Sequence, residues 1–233
     1  MEEIKFSQQQ IEAVRDQQRF MVRVYGWMTL ALLTTAIVSG MVATSQTFLQ
    51  MIVENRFLFF GIMILQLVLV GSLAGFAQRI SAPVATLLFL GYAALTGVTF
   101  AFIFLAYTAS SIATTFYITA GTFAVMSFFG YFTGTDLTKF GSILFMALIG
   151  LVIASIVNMF MHSEMIYWIS TYAGVLIFTG LIAYDTQKIR MMAPVGMEGT
   201  AEEQKASIIG ALSLYLDFIN LFLILLRLFG RKK

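Results

Sequence analysis

Residues 212–230 read "LSLYLDFINLFLILLRLFG", and every residue is apolar or uncharged except Asp217 and, near the far end, Arg227. About 20 such residues cross a hydrocarbon core about 30 Å thick at about 1.5 Å rise per residue, so the stretch is a membrane-spanning helix. An ionised aspartate at the centre of a bilayer costs about 2.5–3.5 kcal/mol on insertion scales. Asp217 therefore has to face a bundle interior or a wet cavity, and it needs a partner.

The chain around this helix is of the same kind. Of 233 residues, 59% are hydrophobic and 11% charged, and the mean hydropathy is +0.88. This is the composition of a polytopic membrane protein. Seven apolar runs are long enough to span: Val24–Thr44, Phe57–Ala77, Val84–Tyr107, Ile112–Phe132, Gly141–Met161, Ile166–Tyr184 and Ile208–Leu226. The expected fold class is an all-α membrane protein, with a seven-helix transmembrane domain over residues 24–230 and a basic C-terminal tail at 231–233. The spans leave no room for a soluble catalytic domain, so function has to sit among the helices or in short loops.

Residues 1–23 form an N-terminal tail in which Ile11, Val14, Gln18 and Met21 recur at helical spacing. The segment reads either as an interfacial helix or as a frayed polar tail. No cleavable signal peptide is expected, because polar residues precede a first span long enough to remain as an anchor. With seven spans, nine lysines and arginines fall on the N-terminal face and five on the other. That balance favours a cytoplasmic N-terminus, although the basic C-terminus argues the other way. The longest link, Asp185–Ser207, carries Pro194, Gly196 and Gly199 and is the expected mobile segment.

Several chemistries are excluded or disfavoured. There is no cysteine, hence no disulfide, thiol catalysis or thiolate metal site. A net charge of +2 is too small for nucleic-acid binding. His162 sits with Glu164 in a short outer loop without a ligand cluster, so it reads as a solvated residue. No Ser/His/Asp set, phosphate-cradling glycine loop or two-histidine zinc helix is present, and no enzymatic activity is expected. A retinal protein needs an intramembrane lysine, and all six lysines are placed in tails or loops.

Ten of the twelve acids also fall in tails or loops, leaving Asp217 and Asp185, the latter at the end of the sixth span in "TGLIAYDTQKIR". Candidate partners for Asp217 are Asn220 on its own helix face, the buried amides Asn158 and Gln66, and Asp185. Arg79, ending the second span in "AGFAQRISAP", is a rival cation with a long stem. Two arrangements satisfy this pattern. If the carboxyls of Asp185 and Asp217 meet in a low-dielectric site they cannot both stay ionised, so they share a proton and act as a pH switch. A proton draws spans six and seven together; its loss makes the carboxylates repel and opens the path between them. In the other arrangement Asp185 caps its helix in interfacial water and Asp217 is a lone packing residue, the two separated in depth by about 10 Å.

The segments "VYGWMTLALLTTA" at the first span, "GYAALTGVTF" in the third, "DLTKFGSILFMALIG" leading into the fifth, "GLIAYDTQKI" ending the sixth and "LSLYLDFINLFLILLRLFG" in the seventh extend from near residue 22 to residue 230. Together they resemble the Bax inhibitor one family, also called the transmembrane Bax-inhibitor-motif family, in its bacterial members. The resemblance implies a seventh helix surrounded by the other six. It also implies that Asp185 and Asp217 form a proton-sensitive pair controlling a calcium leak, with Arg79 competing for Asp185. No cofactor is implied, and calcium is the permeant ion; Asp185 and Asp217 would give it at most a weak site, since calcium usually takes six to eight oxygens.

The function expected is a pH-sensitive calcium-permeable leak channel of the bacterial inner membrane, its partners being the lipid bilayer, calcium ions and protons. Two other readings stand beside it. One is a membrane regulator that binds and modulates a membrane protease or stress pathway, a role some bacterial relatives resemble; the other is a proton-coupled transporter using the same acids.

Overall fold

The computed structural model describes the backbone of residues 2–76 and 79–233, and the side chains of these residues except 2–10 and 59. The expected end of the second span at Ala77, and the side chain of Lys5 counted for orientation, lie outside the described residues. The chain is all-helical, with α1 (Glu2–Thr44), α2 (Gln46–Glu54), α3 (Arg56–Gly75), α4 (Ala82–Ala106), α5 (Ala109–Phe132), α6 (Thr138–Met161), α7 (Glu164–Met191) and α8 (Ala201–Phe229). No strand occurs among the described residues; there is only an isolated bridge between Tyr107 and Lys232. Seven helices, all except α2, are long and apolar enough to cross a membrane.

Two compact units divide the chain, Met1–Ala106 with Met191–Leu212, and Tyr107–Arg190 with Ser213–Lys233; α8 belongs in part to each. In the first, α1 packs along α4. Gly97 permits the approach, since a β-carbon there would lie 2.7 Å from the Thr35 carbonyl oxygen. Buried Thr35 donates its hydroxyl to the Ala93 carbonyl at 2.9 Å, closing the same contact with a polar bond.

Element ends follow from capping. Ser45 accepts the Phe48 amide to start α2, and Asn55 accepts the Leu58 amide to start α3, so the link between the first two spans holds a short helix where a loop was expected. Thr200 accepts the Glu203 amide at 3.2 Å and starts α8 with Glu202 and Glu203 in its first turn, where acids suit the helix dipole.

Three boundaries differ from the sequence reading. The N-terminal segment is one with the first span, because neither Gly nor Pro interrupts residues 2–25. The sixth span does not stop at Tyr184 but runs as α7 to Met191, and α8 starts at Ala201 rather than Ile208. The link between them is therefore 192–200, with Gly196 and Gly199 at φ of 76° and 78°, a conformation that favours glycine.

Burial separates α8 from the rest. In its most apolar window 67% of residues are buried, against 6–39% in the other spans, so α8 is mostly covered while α3 and α6 turn most of their surface outward. Phe57, Phe160 and Met159 are among many exposed large apolar residues. Such a surface is stable against hydrocarbon rather than water.

Candidate functional site

The site belongs to the second unit and is built by α6, α7 and the C-terminal part of α8. Helical spacing divides the end of α7 into two faces. On one, Ala183, Thr186, Gln187 and Arg190 are fastened to α5 and to the link that follows it. Gly130 of α5 lies against the Ala183 carbonyl, and Ser127 Oγ is 3.0 Å from Thr186 Oγ1. Gln187 accepts the Leu137 amide and donates to the Thr135 carbonyl, each at 2.8 Å. Arg190 donates to the Tyr131 carbonyl and stacks over the Tyr131 ring at 5.1 Å. These anchors carry the helix past Tyr184, because its polar residues find partners.

The other face carries Tyr184, Asp185 and Lys188, which line a cavity of about 930 Å³ with residues of α6 and α8. Asp217 and Asn220 line the same cavity, and so does Arg227. Asp185 and Asp217 thus line one cavity, from α7 and α8 respectively. Asp185 is partly accessible, whereas Asp217 is 5% exposed and its Oδ2 is buried without a hydrogen-bond partner among the described residues. α7 extends six residues beyond Asp185, so Asp185 lies within a helix rather than at its end.

The lining runs along α6 from Thr138 to Ile156, about 27 Å at 1.5 Å per residue, and along α8 from Ser213 to Arg227, about 21 Å. Most of a hydrocarbon thickness is therefore bordered by this cavity. Its polar groups are hydroxyls of Thr138, Ser142, Ser155, Ser170 and Ser213, the two carboxyls, Asn220, Lys188 and Arg227.

The other residues singled out by sequence are placed elsewhere or bonded otherwise. Asn220 donates its amide to the Leu216 carbonyl of its own helix at 2.8 Å, not to Asp217. Asn158 accepts the Ser163 amide at 2.8 Å and closes the turn between α6 and α7. Gln66, in the first unit, donates to Thr99 Oγ1 at 3.3 Å. Arg79 is exposed in the turn between α3 and α4 and belongs to the first unit; its link with Asp185 rests on the resemblance. The cation that acts on Asp185 is Lys188, one turn further along α7, with its Nζ 5.7 Å from the Tyr184 ring. Lys188 and Lys205 lie within helices rather than loops, and Glu203, expected in a hydrated loop, is 3% exposed.

Sequence reasoning places Lys188 and Arg190 beside Asp185 only as interfacial neighbours, and it missed Arg227 and the serines as parts of the site. The signal was present in α8: Ser213, Asp217, Asn220 and Arg227 are spaced by four, three and seven, which puts them on one helix face. Arg227 also lies over the Tyr167 ring at 5.2 Å, an apolar support for a cation at the end of a span.

Known proteins place this architecture. A protein-family model described as "Inhibitor of apoptosis-promoting Bax1" matches residues 17–233. The chain is 51% identical over 217 residues to the inner membrane protein YbhL of Escherichia coli, covering 93% of each chain. It is 44% identical over 225 residues to a protein of Borreliella burgdorferi, covering 97% of each, and 43% identical over 229 residues to one of Deinococcus radiodurans, covering 98% of this chain and 96% of that one. With seven helices able to span and a match that runs to its last residue, the chain belongs to the Bax inhibitor-1 family and is a multi-pass inner membrane protein.

Proposed function

We propose that the protein is a pH-sensitive leak pathway for calcium, with Asp185 and Asp217 as its proton switch. One observation carries the reading: two carboxyls stand in one cavity, with serine hydroxyls, Asn220, Lys188 and Arg227 among apolar side chains in its lining, and that cavity follows α6 and α8 for more than about 20 Å. When the pair holds a proton, one carboxyl donates to the other and α7 and α8 are drawn together. When the proton leaves, two carboxylates repel each other across a medium of low dielectric. Lys188 beside Asp185 then offers one of them a counter-charge, and the path widens. Flux therefore rises as pH rises.

Calcium is a passenger rather than a resident ion in this reading. It takes six to eight oxygens, and two carboxylates with Asn220 and nearby hydroxyls offer a weak, incomplete shell. A weak site suits conduction, since an ion has to leave as well as enter.

The test is calcium flux into liposomes holding the purified protein, followed across pH 5 to 8. The wild type should conduct more at the upper end. Asp217→Asn keeps a hydrogen-bonding group but cannot lose a proton, so its flux should stay near the low-pH level throughout. An unchanged pH profile in both Asp217→Asn and Asp185→Asn would show that the pair is not the switch. Saturable uptake of another solute, driven by a proton gradient, would favour a transporter instead.

A further inference from the structure

Away from this cavity, in the first unit, Arg15, Arg19 and Arg23 recur at four-residue steps on one face of α1. They line a second cavity of about 330 Å³ together with Gln18, Val22 and Glu198. The lining carries three cations and one anion. Arg19 and Arg23 both pair with the Glu198 carboxylate, the second at 3.7 Å, and Arg23 pairs also with Glu203. Asp16, next to Arg15 in sequence, is occupied by the Gly196 amide at 2.9 Å. The chain's own carboxylate thus sits in a cradle of guanidinium groups, and the Arg19–Glu198 pair is about half exposed on both sides, which makes it weak and replaceable.

The place of this cradle on α1 says what replaces it. Val24–Thr44 carries no charged residue and measures about 30 Å at 1.5 Å per residue, the thickness of a hydrocarbon core. Arg23 therefore borders the core, and Arg19 and Arg15 stand about 6 Å and about 12 Å further out, at the level of lipid headgroups. Val22, in the same lining, is 71% exposed and gives the cavity an apolar side. Guanidinium forks match phosphate oxygens in pairs, and an apolar side beside them suits the glycerol and first methylenes of a lipid.

We propose that Arg15 and Arg19 bind the phosphate of an acidic phospholipid headgroup, in competition with Glu198. Phosphate takes Arg15 and Arg19, while Arg23 stays with buried Glu203. Binding frees Glu198, and with it one of the ties that hold the 192–200 link to α1.

The experiment is native mass spectrometry of the full-length chain in neutral detergent, titrated with phosphatidylglycerol or with phosphatidylcholine of the same acyl chains. One phosphatidylglycerol should bind at least about fivefold more tightly than phosphatidylcholine, and the Arg15→Gln, Arg19→Gln double variant should lose about fivefold for each arginine removed. Glu198→Gln removes the competitor and should tighten binding severalfold, and Arg56→Gln, on another helix, should change nothing. Equal binding of the two lipids, an unaltered preference in the double variant, or no gain in Glu198→Gln would each overturn the proposal. Displacement of phosphatidylglycerol by millimolar inorganic phosphate would keep the phosphate site and overturn the lipid as its ligand. Because Glu198→Gln is expected to bind better, a folding defect in the arginine variants cannot hide the outcome.

Discussion

Gly130 of α5 meets the Ala183 carbonyl of α7 so closely that a β-carbon on Gly130 would overlap it. The atoms met are backbone rather than a flexible side chain, so the overlap can be relieved only by shifting α5 or α7. Gly130→Ala should destabilise the protein by about 1–3 kcal/mol, the usual effect of overpacking. Gly121→Ala, on the same helix with open space around it, should be neutral or gain up to about 1 kcal/mol from helix propensity. Thermal unfolding of the two variants in detergent checks the contrast.

Gln187 fastens the link after α5 through both ends of its amide. In Gln187→Leu the Leu137 amide and the Thr135 carbonyl lose their partners, with an expected loss of about 1–3 kcal/mol. Hydrogen exchange at Leu137 should accelerate in that variant. Unchanged exchange would mean that the amide is protected by something other than Gln187.

Arg23 is the ion-pair partner of Glu203, whose side chain is 4% exposed. Arg23→Gln leaves the buried carboxylate with the Gly199 amide as its one partner among the described residues, and should cost about 1–3 kcal/mol, less than a fully buried pair because Arg23 itself is partly in solvent. Adding Glu203→Gln to that variant should recover most of the loss. A double variant as unstable as Arg23→Gln alone would place the effect in packing rather than charge.

Asp136 lies outside the spans and is fully exposed, and its carboxyl is held below the usual carboxylate range first by the Thr138 side chain, then by the Thr138 amide at 2.9 Å and by Lys139. Its contribution to the start of α6 is present above the ordinary carboxylate range and is lost as pH falls through the lowered value. A carbon NMR titration of the carboxyl should find its midpoint below that of a free aspartate, and Thr138→Val should move it upward. A midpoint indifferent to Thr138 would refute the assignment.

How legible all this was in the sequence differs by kind of feature. Seven spans could be counted from hydropathy alone, since runs such as Val24–Thr44 have no other stable home. Their ends could not, because Lys188 and Arg190 look like stop signals until Tyr184 and Tyr131 are known to receive them. Asp185 and Asp217 could be found as acids in apolar helices. Lys188 was read instead as part of a loop because it follows the last apolar run of its span, and Glu203 as hydrated because its pairing with distant Arg23 leaves no local mark in the chain. Arg227 and Ser213 were visible only as part of a periodic face of α8, a signal easily lost among apolar neighbours.

Asp217 has a consequence for how the protein is made. An isolated final span would carry its acid into lipid at a cost of about 3 kcal/mol, and it is also the span with the largest buried share. It follows α1 to α7 in sequence, so the helices that build the cavity with it are synthesised before it. The order of synthesis thus delivers the least self-sufficient helix at the moment its surroundings exist, and moving this segment to the front of the chain would take that advantage away.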